Sequence, residues 1–572
     1  MIMNMKWKIA EKIDQDFKDK FPEINAVVLQ LLYNRGLRDQ DGIDRFLGPD
    51  YLADQHDPYE FNQMKKAVQL IGEAIDSRGK IVIYGDYDAD GVSASALMYL
   101  VLKRLGASDV RVYIPSRLNG EGYGMNANAV KELIKANTHL IITVDCGITA
   151  IAEVKTAQAA GIKVVITDHH LPGNELPGAD ALIVPTVKNE QYPFKKLAGV
   201  GVAFKLAQAL LRSDKSQNNE SFEKWLLDLV AIGTVADIVP LLGENRTLVK
   251  WGLLVLNKTQ RLGLRELIAG AAIKGQLGTY SIGYQLAPRI NAAGRMDHAN
   301  TAYQLLITDN EAEALAIAND LNQKNYGRQK ATDEMIKISL EQIGQPTDDD
   351  KILFSQYDGW SAGLVGLAAG KLADKFHRPA IVFGKLGDKY VGSGRSIEEF
   401  NIMAGLEQCA AYLAEFGGHE QACGLTIVGA DNYEKFIKQM EKVVAKKLTG
   451  VALIPSLEIE AVIKLNQANW DLIDSLEKFE PFGQGNQQPV FLTQDMEVLD
   501  KAVIGSSGQH LRFSLKDDSV ESGKKFLAFN QAAECVHINL GDKVEAVYKI
   551  SINEWNGNRE IEFKVVDLRK VE

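Results

Sequence analysis

Three short runs made almost wholly of Ile, Val and Leu constrain this chain more than any other feature: Ile81-Val82-Ile83-Tyr84, Leu140-Ile141-Ile142-Thr143-Val144 and Val164-Val165-Ile166-Thr167. A strand that is apolar throughout, and not at alternate positions, is buried on both faces. That requires helices above and below it, and hence a parallel sheet. Amphipathic stretches at Ala94 to Leu105 and Ala150 to Ala160 supply the alternating helices. Each run ends in acid: Gly85-Asp86-Tyr87-Asp88-Ala89-Asp90-Gly91 after the first, Asp145 after the second, Asp168-His169-His170 after the third. A fourth apolar run, Leu229-Val230-Ala231-Ile232, leads to Ala236-Asp237. Read alike, the four clusters fall at the carboxyl ends of parallel strands, where open α/β sheets bind ligands.

A chain of 572 residues is too long for one ordinary core. Residues 1–75, broken by Gly48-Pro49, read as a helical cap, and 76–305 as the first α/β domain. Residues 306–345, with an Ala/Glu/Lys-rich stretch from Asn310 to Gln342, read as a helical linker. A second, smaller α/β domain covers 346–450, with Lys351-Ile352-Leu353-Phe354 and Ala380-Ile381-Val382-Phe383 as strands. Residues 451–572 alternate in polarity, as in Leu511-Arg512-Phe513-Ser514-Leu515, and predict a small β-barrel. No apolar run reaches membrane-spanning length and no signal-peptide pattern opens the chain, so a cytoplasmic protein without membrane contact is expected. The four cysteines lack metal-binding spacing, which argues against structural zinc and a disulfide framework. A net charge of −11 weighs mildly against a nucleic-acid ligand. An anionic metal site would itself contribute to that charge, however. The basic segments Lys250 to Arg265 and Lys324 to Lys330 read either as solvated helix faces or as nucleic-acid contacts.

Carboxylates gathered this closely repel one another unless a cation holds them. Oxygen ligands with one or two imidazoles suit Mg²⁺ or Mn²⁺. The Asp86-x-Asp88-x-Asp90-Gly91 run also begins like a calcium-binding loop, but the twelfth position, which needs Glu, is Leu97. No nucleotide-binding Gly-x-x-x-x-Gly-Lys sequence occurs, so ATP is not required. Gly199-Val200-Gly201 opens a helix and reads as helix packing. The constellation predicts a two-metal phosphoesterase site.

Asp88-Ala89-Asp90, Asp145, Asp168-His169-His170 and Asp237 resemble, in order, the four motifs of the DHH phosphoesterase superfamily. The resemblance implies two Mn²⁺ or Mg²⁺ ions. Asp88 and Asp145 would hold one, with Asp86 nearby; Asp90, Asp145, His169 and Asp237 would hold the other. It also implies that Asp145 bridges, that Asp168 orients a ligand histidine, and that His170 meets the scissile phosphate. Phe416-Gly417-Gly418-His419 resembles the Gly-Gly-His motif of the DHHA1 substrate domain. Within the superfamily, Ala287-Pro288-Arg289-Ile290-Asn291 through Arg295 and Gly392-Ser393-Gly394-Arg395 resemble RecJ exonucleases. There, Arg289, Asn291 and Arg295 would meet the nucleic-acid backbone, and Ser393 and Arg395, with Arg117, a 5′-phosphate. Tyr123 would stack on a base, and Gly417, Gly418 and His419 would contact substrate. The barrel would be the OB-like domain that tracks single strands.

The implied function is a single-stranded-DNA-specific 5′→3′ exonuclease in DNA repair and recombination. It would act as a monomer and release 5′-mononucleotides, with single-strand-binding protein and a helicase as partners. A small-substrate oligonuclease or cyclic-dinucleotide phosphodiesterase is the alternative within the superfamily. A non-catalytic single-strand-binding scaffold is the alternative outside it, and that reading predicts lost metal ligands.

Overall fold

The computed structural model describes residues 5–116, 124–215, 218–555 and 557–571. The chain forms two compact units, 54–453 and a second built from the residues up to 53 together with those from 454 onward.

The first unit opens on a five-stranded sheet: β1 (Ile81–Tyr84), β2 (Val110–Tyr113), β3 (Leu140–Val144), β4 (Lys163–Thr167) and β5 (Ala181–Ile183). The order is β2-β1-β3-β4-β5 and every pairing is parallel. All residues of β1 and β3 are buried, as their unbroken apolar runs require. Helices α1 (Ala89–Arg104), α2 (Ala127–Lys135) and α3 (Ile151–Ala159) connect the strands. The chain passes from β1 outward to β2, then back to β3 on the other side of β1, so the order reverses between β1 and β3. Such switch points leave a crevice beyond the strand ends. Register aligns Tyr84 with Thr143 and Val144 with Thr167, so the loops carrying Asp86, Asp145 and Asp168 leave the sheet at one level.

Helix α4 (Gly199–Ser213) packs on β3 and β4, α5 (Leu227–Ala236) on α1 and α4, and α6 (Ala287–Met296) on α1 and α5. Here the structure corrects the fourth apolar run: Leu229–Ile232 belongs to α5, and Asp237 caps that helix. A helix buried on all sides shows no periodicity, so four apolar residues in a row cannot separate it from a strand. Helix α7 (Glu311–Ile343), 33 residues long, then leads to the smaller α/β body. That body holds β6 (Leu353–Asp358), α8 (Ala362–Phe376), β7 (Ala380–Leu386), β8 (Lys389–Arg395), β9 (Glu415–His419) and β10 (Ala422–Val428). Its mixed sheet has the order β9-β10-β8-β7-β6.

In the second unit, β11 (Phe491–Ile504), β12 (His510–Lys516), β13 (Lys524–Ala528), β14 (Lys543–Trp555) and β15 (Asn558–Lys570) close into a barrel, because β11 pairs with both β12 and β14. The residues up to 53 are not a cap of their own. The strand Lys6–Ile9 pairs in parallel with Ser456–Ile459. Val28, Leu31, Leu32, Ile43 and Phe46 enter one core with Leu472, Phe479, Phe513 and Phe526. These short helices bury their apolar faces against barrel residues distant in sequence, which local pattern does not reveal.

Candidate metal centre and substrate face

The first acidic loop is a strand-to-helix turn. Asp88 is the N-cap of α1 and accepts from the amides of Asp90 and Gly91 at 2.9 and 3.1 Å. The turn is tight enough that a Cβ on Gly91 would lie 2.6 Å from Asp86 Cβ. Asn291 Oδ1 accepts from the Ala89 amide at 2.7 Å, tying the loop to α6. Asp145 follows β3 with φ of 61°, a left-handed conformation that Asp tolerates and that clusters at functional sites. Asp90 faces the opening of α4, where the Gly199 and Val200 amides donate to its two oxygens at 2.7 and 2.9 Å. A carboxylate at a helix N-terminus gains from both the free amides and the helix dipole.

These loops bring ligand atoms of Asp86, Asp88 and Asp145 within 4.8 Å of one another. Those of Asp90, His169 and Asp237 form a second set, and those of Asp145, His169 and His170 a third. Asp145 and His169 recur between sets, so the groups adjoin. His169 has a hydrogen bond to the Leu197 backbone. Its Nε2 lies 3.2 Å from Asp145 Oδ1 and 3.6 Å from Asp237 Oδ2, yet is buried without forming a hydrogen bond. Acceptors that converge without bonding to one another are arranged around a common point, and this donor set of carboxylate oxygens and imidazole fits Mg²⁺ or Mn²⁺. Asp168 Oδ1 pairs with His170 Nδ1 at 2.7 Å and its Oδ2 accepts from the Ile148 amide at 2.9 Å. The histidine that Asp168 orients is therefore His170.

The electrostatics favour a cation at this point. Burial, then Asp88, pushes the Asp90 carboxyl up to about 7, and burial, then the neighbouring aspartates, pushes Asp237 up to about 9. Asp145 is raised well above the carboxylate range by the same causes. Burial and the adjacent His170 push His169 down to about 4, leaving a neutral imidazole able to ligate. Burial opposes charge on both Asp168 and His170, but their hydrogen bond prevails, lowering the acid and raising the base.

Among the other sequence candidates, Arg289 bonds through Nε to Asn322 Oδ1 at 2.6 Å and through Nη1 to the Gln285 carbonyl at 2.7 Å. Arg295 reaches the smaller body, donating to the Gly363 carbonyl at 2.7 Å. Nearby, a Cβ on Gly366 would lie 2.9 Å from Ser393 Oγ and 3.2 Å from Arg395 Nη2. Arg295, Ser393 and Arg395 thus gather around the opening turns of α8. Gly417 pairs across the sheet with Gly424, and Gly424 with Ser393, while His419 lies in the row of Ala422 and Arg395. All of β9 is exposed. Arg117 and Tyr123 lie outside the described residues.

Two glycines escaped the sequence reading. A Cβ on Gly199 would lie 2.2 Å from Asp145 Oδ1, and one on Gly233 would lie 2.4 Å from Asp90 Oδ1. The helix-opening glycine was visible in Gly199-Val200-Gly201, where it read as packing. Gly233, inside an apolar helix, carries no local signal.

Three family models match the chain: the DHH family, N-terminal domain, over residues 80–234, the DHHA1 domain over 349–446 and the RecJ OB domain over 459–567. The single-stranded-DNA-specific exonuclease RecJ of Bacillus subtilis is 38% identical over 98% of this chain and 70% of its own length. That of Escherichia coli is 32% identical over 94% and 95%. The crystal structure of RecJ from Thermus thermophilus in complex with Mn²⁺ superposes with a TM-score of 0.84 at 28% identity, covering 99% of this chain and 80% of that one.

Proposed function

The chain belongs to the RecJ family of single-stranded-DNA-specific exonucleases, and from that premise we propose that it degrades single strands from the 5′ end, releasing 5′-mononucleotides. It is a metal-dependent exonuclease that uses Mn²⁺ or Mg²⁺. One observation carries the reading best: the carboxylates and imidazoles converge at the switch point of a parallel sheet, beside a second set of groups, Arg295, Ser393 and Arg395, suited to an anion. In this reading Asp86, Asp88, Asp90, Asp145, His169 and Asp237 hold two ions. When bound, these ions lower the pKa of a water and neutralise charge on the phosphoryl oxygens.

The chain's own residues do the rest. The α4 amides fix the rotamer of Asp90, and the left-handed backbone at Asp145 aims its carboxylate into the crevice. Asp168 keeps His170 protonated through Nδ1, so Nε2–H donates to a phosphoryl oxygen. Arg395, Ser393 and Arg295 hold the terminal 5′-phosphate, which sets polarity, and the Gly417–His419 strand closes on the nucleotide from the far side. In the cell, the enzyme works as a cytoplasmic monomer in repair and recombination, on strands presented by a helicase and single-strand-binding protein.

Purified protein with Mn²⁺ on 3′-labelled single-stranded DNA tests this, with duplex DNA and a cyclic dinucleotide in parallel. A shortening ladder on the single strand alone, stronger with a 5′-phosphate, is expected. Cleavage of only the dinucleotide would move the chain to small substrates, and a 3′→5′ pattern would reverse the polarity. Asp145→Ala should abolish cleavage while leaving single-strand binding; surviving activity would overturn the metal assignment.

A further inference from the structure

Tyr280 and Tyr284 are 67% and 71% exposed, and their rings stack on each other with centroids 4.8 Å apart at 25°. Tyr280 is the N-cap of a π-helical segment, Ser281–Leu286, and Tyr284 lies within it. With hydrogen bonds spanning five residues, each turn holds more than four, so side chains four apart fall nearly one above the other and can stack. Single π-helical turns are rare and recur at functional sites. The segment packs on α5, where a Cβ on Gly283 would lie 3.9 Å from Val235 Cγ1, close to Asp237 at the end of that helix. It runs directly into α6, where Asn291 holds the first acidic loop. Seven residues separate Tyr284 from Asn291, about 10 Å along a helix. That is the length of roughly three nucleotides stacked at about 3.4 Å each.

Two guanidiniums lie further along the chain, Arg289 five residues after Tyr284 and Arg328 on α7. Arg289 bonds back to the Gln285 carbonyl within the π-helical segment, and its other partner is the Asn322 amide oxygen. Arg328 bonds to Asn325 Oδ1 at 3.2 Å. Among the described residues neither has a carboxylate at ion-pair distance. Lys324, one turn earlier on the same helix, pairs with Asp297 and Asp320 at 2.8 and 2.7 Å. Charge on Arg328 is disfavoured first by burial and then by Arg289, with Asp333 opposing. Two half-buried guanidiniums, each bonded to neutral oxygens and near enough for Arg289 to disfavour charge on Arg328, in a chain of net charge −11, make a place for an anion.

We infer that the Tyr280–Tyr284 pair and the Arg289–Arg328 pair form a second station for the DNA strand, taking one base and one phosphodiester of the nucleotides adjoining those in the metal centre. The inference rests on the reading that the chain acts on single-stranded DNA. The tyrosines supply sequence-blind stacking, the guanidiniums a backbone contact, and together they register the strand on the enzyme between cuts.

The test uses full-length protein, with Asp145→Ala in all binding arms, and labelled single strands of about 2 to about 20 nucleotides. Tyr280→Ala with Tyr284→Ala should weaken binding of the longest strands roughly tenfold or more and leave the salt dependence intact. The Phe pair should restore the affinity. Arg328→Gln should weaken the same strands and reduce the slope of log affinity against log salt by about one. Dinucleotide affinity should change less than about twofold, since a dinucleotide does not reach the station. A retained rise in melting temperature with Mn²⁺, measured without the Asp145 change, shows that each variant is folded. Unaltered affinity for long strands would overturn the inference, as would equal losses for dinucleotide and long strand. If the unsubstituted enzyme fails to shorten single strands, the functional reading falls first; a normal ladder with indifferent variants removes the station alone.

Discussion

Glycine is the largest residue the centre can accept at position 199, where α4 begins. A Cβ there would sit 2.2 Å from Asp145 Oδ1, so either the carboxylate or the helix must move. Moving the helix also withdraws the two amides that hold Asp90. Gly199→Ala should therefore weaken Mn²⁺ binding by about tenfold or more and reduce cleavage at least as much, with helix content by circular dichroism unchanged. Titration calorimetry with Mn²⁺ checks it; wild-type affinity would show that the carboxylate has room to turn. Protonation gives a second residue-level prediction. In the metal-free protein Asp90 and Asp237 hold protons up to about 7 and about 9, whereas in the unfolded chain they ionise near 4. The folded state then binds more protons than the unfolded state. This contribution to stability is fully present below about pH 4 and is lost progressively as pH rises to those values. With EDTA present the melting temperature should fall between pH 6 and about 9, and saturating Mn²⁺ should remove most of that slope because the ions replace the protons. A melting temperature that rises with pH in EDTA would contradict the charge repulsion on which the centre is argued.

At the scale of elements, α4 must be held rigidly if its first turn is to position Asp90. A wholly buried ion pair does this: Lys205 Nζ lies 2.5 Å from Glu244 Oε1, and Tyr192 donates to Glu244 Oε2 at 2.5 Å. Lys205 also donates to the His56 carbonyl at 3.0 Å. Lys205→Met leaves Glu244 buried without its cation and should cost about 3 to 5 kcal/mol of stability in urea unfolding. Adding Glu244→Leu should recover much of that loss, because two apolar groups replace two charges. A double variant as unstable as the single one would mean that the pair is needed for packing rather than charge. Elements also show why sequence reading succeeded unevenly. β1, β3 and β4 are legible because strands buried on both faces have almost no polar positions, and their acidic ends mark the crevice in the sequence itself. Leu229–Ile232 misled for the same reason: α5 is buried all round, so it too lacks polar positions. Asp237 nonetheless lies with Asp90 and His169, since a helix end and a strand end can meet at one point. Asp90's partners were illegible, because backbone amides leave no trace in side-chain pattern.

Across the whole molecule, the chain ends build one unit together. The pattern reads residues 1–75 as one helical cap beside the first α/β domain, whereas those up to 53 join the unit at the other end of the chain. What completes their core lies at the opposite end of the chain. Leu32 is fully buried among barrel residues such as Phe513 and Phe526. Leu32→Ala should cost about 3 kcal/mol through lost transfer energy and the cavity left behind. For a unit of this size that amounts to a fall of roughly 6 to 12 °C in melting temperature. The two compact units have separate cores, so scanning calorimetry should resolve two transitions, and the substitution should lower only one. Mn²⁺ should raise only the other, since every candidate ligand from Asp86 to Asp237 lies within 54–453. If Leu32→Ala and Mn²⁺ shifted the same transition, the N-terminal helices would be stabilising the catalytic body. Separate shifts would instead show that a barrel closed by the far end of the chain carries its own stability, and that nothing in it is needed to assemble the metal centre.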